Sequence, residues 1–212
     1  MLSTQNSTAL PDEIALQRIC KALAVLDAII SPEEEYRYHT YDAHWGEGEQ
    51  VFQMNDGEGD QLLVLFRPEG CVINGYADGL EEPDKTRLTH GLPAAFREFM
   101  FGEPVSSIGT TFCLWATGSE AWQLGKGATD EDGSGELLYI LDGHPRTYVE
   151  WAQEYFEEDT FPKDGLPVVA VAQLYYGETL TKTTVLSLVK HIADWEQLRR
   201  DLDEIDYPYV FD

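Results

Sequence analysis

Residues Gln50 to Tyr76 read QVFQMNDGEGDQLLVLFRPEGCVINGY, three short apolar runs separated by two turn clusters. At the first corner, Asn55-Asp56-Gly57-Glu58-Gly59 supplies residues that tolerate positive φ. At the second, Arg67-Pro68-Glu69-Gly70 places a Pro ahead of a Gly. This alternation predicts a β-meander. Leu62 to Phe66 is an unbroken apolar run, the pattern of an inner strand covered on both faces. Such a strand needs helices over it, and the helical patterns lie toward the two ends of the chain.

On the N-terminal side, Leu16, Ile19, Leu23, Leu26 and Ile30 recur at helical spacing between Pro11 and Ile30, with Asp12 and Glu13 in the first turn and Ser31-Pro32 as the stop. Glu33 to Trp45 reads as a strand with Tyr36 and Tyr38 on one face. Beyond the meander, Leu92-Pro93 opens a short helix in which Phe96, Phe99 and Met100 share a face. Thr110 to Thr117 and Ala121 to Leu124 form a hairpin, and Glu136 to Leu141 a further strand. His144-Pro145 starts a helix with Tyr148, Trp151, Ala152 and Tyr155 on one stripe. VVAVAQLYY, within Leu166 to Tyr176, fits a strand or a helix, and is taken as helix because helical sequence follows. Thr181 caps a helix running to Ile192, and Trp195, Leu198, Leu202 and Ile205 define the last one. The expected fold is α+β: an antiparallel sheet of about five to seven strands between Tyr36 and Leu141, covered by the N-terminal helix and the C-terminal helices. At 212 residues the chain reads as one domain, 1–212, with 166–206 as a candidate helical appendage.

Lys and Arg number 14 against 39 Asp and Glu, a formal net charge of −25. Phosphate-backbone binding depends on a basic patch, and the densest basic spot is Arg199-Arg200, so no nucleic acid is expected as a partner. The same sign argues against acidic membranes, and no apolar run approaches the roughly 20 residues of a membrane span. MLSTQNSTALPDE lacks the basic and apolar regions of a signal peptide. Cys20, Cys71 and Cys113 have no metal or redox spacing, which fits thiols kept reduced in a cytoplasm.

TTFCLW (Thr110 to Trp115), Trp122, DGSGELLYILDG (Asp132 to Gly143), Pro145, Tyr148, Trp151 and Tyr155 together give an order of motifs that is similar to a group of acidic bacterial proteins of unknown function. The resemblance covers about Trp45 to Tyr155. Its motifs are structural, so it implies no activity, cofactor or catalytic residue.

Chemistry-bearing patterns are few. Asp130-Glu131-Asp132-Gly133-Ser134-Gly135 overlays the start of an EF-hand loop, but the twelfth position, a bidentate Glu in that loop, is Leu141 here. An acidic loop is the expectation at Asp130 and Asp132. Asp56, Glu58 and Asp60 at the first meander corner are read in the same way, as a turn with surplus carboxylates. The five histidines form no HxH or HExxH pair, and no metal or cofactor is implied. Asp42 and His44 are placed to share a strand face, as a base and its orienting partner would. No GxSxG elbow or phosphate loop occurs. Trp45, among glycines and acids, and the tail Tyr207-Pro208-Tyr209-Val210-Phe211 are candidate exposed anchors of the kind interfaces favour. The residues singled out for binding are therefore Trp45, Asp56, Glu58, Asp60, Asp130, Asp132, Tyr209 and Phe211.

The function expected is that of a non-enzymatic, acidic, cytoplasmic protein that binds a basic protein partner drawn in by long-range field, an immunity-like or antitoxin-like inhibitor being one form. Two alternatives stand beside it: an enzyme, such as a metal-dependent hydrolase using scattered carboxylates, and an acidic soluble domain with no charge-specific partner. The aromatic tail is expected to dock on an apolar surface, either its own or that of a second copy in a homodimer.

Overall fold

The computed structural model describes residues 2–118, 121–129, 131–156 and 160–211. After a 3-10 turn at Thr4–Ala9, helix α1 runs from Glu13 to Ile30, capped by Asp12, whose carboxylate accepts from the Ala15 amide at 2.8 Å. Six strands follow in a sequential antiparallel meander: β1 (His39–Gly46), β2 (Glu49–Asn55), β3 (Gln61–Arg67), β4 (Gly70–Tyr76), β5 (Phe112–Ala116) and β6 (Gln123–Leu124). The two corners fall where the turn residues lie. Asp56 Oδ1 accepts from the amides of Glu58, Gly59 and Asp60 at 2.8 to 2.9 Å, and Arg67 pairs with Gly70 across a tight turn in which Gly70 has φ +139°.

All of Leu62 to Phe66 is buried, as an inner strand requires. Leu62, Val64 and Phe66 face the larger core, which α1 fills with Leu16, Leu23 and Leu26. Leu63 and Leu65 face a smaller one with Phe96, Phe99, Met100 and Trp115. That second cover comes from the β4–β5 connection, which folds back as α2 (Lys85–Leu88), α3 (Arg97–Phe101) and α4 (Val105–Ile108). Past the sheet come α5 (Ser134–Leu138), α6 (Pro145–Tyr155), α7 (Val168–Tyr175), α8 (Lys182–Leu188) and α9 (Trp195–Ile205). Helices α7, α8 and α9 pack on α1 and contribute to the same core. No helix among the described residues is long and apolar enough to cross a membrane.

Two expectations are corrected. Glu136 to Leu141 is helical, α5 followed by a 3-10 turn at Tyr139–Leu141, not a strand. Leu137, Leu138, Ile140 and Leu141 are its buried residues, a helical spacing that a short apolar run conceals. Gly133, in the left-handed region at φ +79°, turns the chain into that helix. Glu33 to Tyr36 is likewise not strand. Glu34–Tyr36 forms a 3-10 turn that leaves Tyr36 64% exposed, because Arg37 donates to the Ser31 and Pro32 carbonyls and draws the connection into a tight wrap.

The tail docks on its own chain. Tyr209–Val210 forms a strand, β8, parallel to Leu180–Thr181 (β7), which leads into α8 with Thr181 as its N-cap. Tyr207 reaches the Leu174 and Glu178 carbonyls at 3.1 and 3.0 Å, and Phe211 packs edge-on to Trp195 with ring centroids 5.0 Å apart. Burial of these rings within the chain removes the motive for a dimer made through the tail. Truncation before Tyr207 removes two buried rings, Tyr207 and Phe211, and should destabilise the fold by roughly 3–6 kcal/mol; an unchanged urea midpoint would show that the docking contributes nothing.

Candidate binding surface

One buried carboxylate determines how three elements meet. Asp27 on α1 is 0% exposed, and its Oδ2 accepts from the His39 amide at 2.8 Å and from His39 Nδ1 at 3.0 Å, while Oδ1 accepts from the Tyr148 hydroxyl at 2.8 Å. Burial first, then the Asp27 charge and hydrogen bond, push the Tyr148 phenol far above its ordinary pKa, so it remains a donor. Against an ionised Asp27, Nδ1 of His39 is the donor of this contact. Nε2 is buried and has no hydrogen-bond partner among the described residues. Asp27 thus fixes the start of β1 and the rotation of α6 against α1.

On that base stands a ring stack that reaches the surface. Trp151 packs edge-on to His39 at 4.9 Å and lies parallel to Tyr155 at 5.1 Å, while Tyr38 touches Trp151 at 4.9 Å and Tyr155 at 5.3 Å. Phe156 closes the side, 5.0 Å from Tyr155. The α6 residues Tyr148, Trp151 and Tyr155 occupy one helical stripe, from the core to a ring that is 46% exposed. Acidic groups surround the outer end. The Tyr155 phenol is pushed up by burial and then by the charges of Asp27, Asp56 and Glu58, and Tyr38 by burial and then by Tyr139, Asp56 and Asp60, so the β2–β3 corner lies within electrostatic reach of both rings.

Asp56 lies within electrostatic reach of both Tyr38 and Tyr155, Glu58 of Tyr155 and Asp60 of Tyr38, a relation that sequence spacing does not reveal. Asp56 spends Oδ1 on the turn and Asp60 accepts from the Asp78 amide at 2.8 Å, while Glu58 is exposed. Trp45 is 45% exposed at the far end of β1, within the register shift between Asp42 and Gly46. Asp132 is buried, with its carboxylate taken by the Thr4 and Ser134 hydroxyls and the Ser134 amide, so it serves to start α5. Asp130 lies outside the described residues. Tyr209 and Phe211 belong to the docked tail, with the Arg199 guanidinium 6.0 and 5.4 Å from their ring centroids. Asp42 bonds the His44 amide rather than its ring, so these two do not form a base and its orienting partner. The Asp–His pair that exists, Asp27 with His39, went unrecognised in the sequence; its signal was a lone acid in the apolar stretch ALAVLDAII.

Burial also pushes up all three thiols, Cys113 to about 12, the opposite of nucleophile activation. Among the described residues no three His, Cys, Asp or Glu side chains are grouped to hold a metal ion. No family model matches the chain, and no curated protein or solved structure matches it.

Replacing Asp27 by Leu strands the His39 amide, the His39 ring and the Tyr148 hydroxyl. It should cost at least about 3 kcal/mol in urea unfolding with the m-value unchanged, and Asp27→Asn, which keeps one acceptor, should cost less. A Leu variant as stable as the parent would remove Asp27 from its structural role.

Proposed function

We propose that this protein is a non-enzymatic binder of a basic protein partner, acting in the cytoplasm in the manner of an immunity protein or antitoxin. The observation that carries the reading is the open Tyr38–Trp151–Tyr155 stack bordered by Asp56, Glu58 and Asp60. An aromatic face beside carboxylates suits a Lys or Arg side chain, through cation–π attraction and ion pairing together. The chain's own cations are placed on other rings: Lys85 and Arg97 over Phe101, Lys182 over Trp195, and Arg199 over Tyr209 and Phe211. Among the described residues none lies over this stack, which leaves it for a cation from outside. A net charge of −25 would steer such a partner from a distance and repel nucleic acid.

The test is the association of a partner captured on the immobilised protein. Its rate constant should fall as ionic strength rises through about 0.1 M, where the screening length is about 10 Å. Tyr155→Ala should weaken affinity about tenfold, about 1.4 kcal/mol, which is within the range of a partly desolvated cation–π contact. Leu186→Ala, an exposed site on α8, should change nothing. A salt-independent rate, or full affinity in Tyr155→Ala, would sink the reading.

A further inference from the structure

At the opposite end of β1 and β2, the first turn of α1, the β1–β2 hairpin and the β3–β4 turn enclose a cleft of about 670 Å³, within the volume range of small-molecule sites. Four residues of β1, His39 to Asp42, at about 3.3 Å each, separate its nearest strand residue, Ala43, from Tyr38 of the ring stack, so it is a distinct place on the molecule. Glu13, Gln17, Glu49, Gln50, Phe66 and Arg67 are among its walls. Glycine keeps it open: a Cβ at Gly46 would lie 2.7 Å from Glu49 Oε2.

Most of its polar groups are already engaged. Arg67 pairs with Glu49 at 2.9 Å and with Glu69 at 3.4 Å. Gln17 Nε2 donates to Tyr41 Oη and to Gln50 Oε1, both at 3.1 Å, and Tyr41 donates to Gln50 Oε1 at 2.6 Å. That arrangement leaves Gln17 Oε1 as an acceptor and the Gln50 amide nitrogen as a donor. Glu13 is the exception: its Oε2 is buried with no hydrogen-bond partner among the described residues. Burial and then the Asp12 charge raise the Glu13 pKa, as expected for a carboxylate that lacks a counter-charge. The positive end of the α1 dipole, about half a charge, is outweighed by Asp12 and Glu13 together, so the local field favours a cation.

We propose that this cleft is a binding site for a small organic cation bearing a guanidinium group, with Glu13 as its counter-ion. Glu13 and Gln17 stand one helical turn apart on α1, so their acceptors lie side by side, and a planar fork of donors can serve both where a compact ammonium serves one. Phe66 and Pro68 supply an apolar wall for a weakly hydrated planar cation.

Calorimetry of the full chain with n-butylguanidinium, at about 0.15 M salt to suppress diffuse attraction, tests this. One-to-one binding is expected, tighter than for n-butylamine. Glu13→Gln should weaken it about tenfold, the worth of one charge-assisted pair, while Glu98→Gln, at an exposed acid on α3, should leave it unchanged. In the parent protein the side-chain amide NMR signals of Gln17 and Gln50 should shift on titration, a readout that holds even if the Glu13 variant folds poorly. Absence of binding, equal binding of butylamine, an equal loss in Glu98→Gln, or unmoved amide signals would each overturn the assignment. None of these outcomes touches the basic-protein reading, which is tested at Tyr155.

Discussion

The arrangement of this fold depends on the desolvated carboxylate of Asp27. Taking it out of water costs several kcal/mol, and three short hydrogen bonds from two other elements offset that cost only when all three are made together. Hydrophobic burial would hold α1 against the sheet in many rotations and translations. The Asp27 bonds to the His39 backbone and ring select one, and the bond to Tyr148 selects the matching rotation of α6. A second nearly buried polar pair does the same for the far side of α1. Arg37, at 6% side-chain exposure, meets Asp201 of α9 at 2.7 Å, and Gln197 supplies Asp201 with another donor. The connection from α1 to β1 is therefore clamped at both ends by polar contacts, and two of the partners, Tyr148 for Asp27 and Asp201 for Arg37, lie more than a hundred residues away.

That distance explains what the sequence could and could not disclose. The meander was legible because turn residues act locally: Asp56, Gly57 and Gly59 need only their neighbours to bend the chain, and Pro68 with Gly70 likewise. Helices α1, α6 and α9 were legible because an amphipathic stripe is also a local pattern. Glu136 to Leu141 was misread because four apolar residues in six positions satisfy a buried strand as readily as a helix, and the deciding contact, Asp132 with Thr4, spans 128 positions. Tyr36 was misread because β-propensity at an aromatic is weak against the tight wrap imposed by Arg37. The candidate surface was half legible. The surplus carboxylates at Asp56, Glu58 and Asp60 stand out in sequence, but their ring partners lie on α6, about a hundred residues further on.

Scarcity of positive charge shapes the surface as much as the abundance of negative charge. With 14 Lys and Arg for the whole chain, most of those described have a definite use. Arg37 is nearly buried, Arg67 ties β3 to Glu49 and to the Ala95 carbonyl, and Lys21 holds the turn after α9 through Asp206. Arg199 lies over two tail rings and donates to the Phe211 carbonyl. Cations are thus spent on fixing polypeptide geometry, and the carboxylates beyond them are left to solvent. Such a surface repels copies of itself and acts on a positively charged body from a distance, a property of the summed field and not of any one acid.

The ring stack and the core network are parts of one structure. Tyr148, Trp151 and Tyr155 follow each other up α6 at intervals of three and four residues, so whatever fixes Tyr148 also fixes where Tyr155 emerges. Asp27 bonds the Tyr148 hydroxyl and the His39 amide, and His39 in turn supports Trp151 at 4.9 Å and follows directly on Tyr38. Both walls of the surface, the α6 rings and Tyr38 at the start of β1, therefore take their positions from the same two oxygen atoms. A preorganised aromatic face loses little side-chain entropy when a cation settles on it, because its rings are already held. The buried carboxylate that selects the fold is, by the same bonds, what holds that face in place.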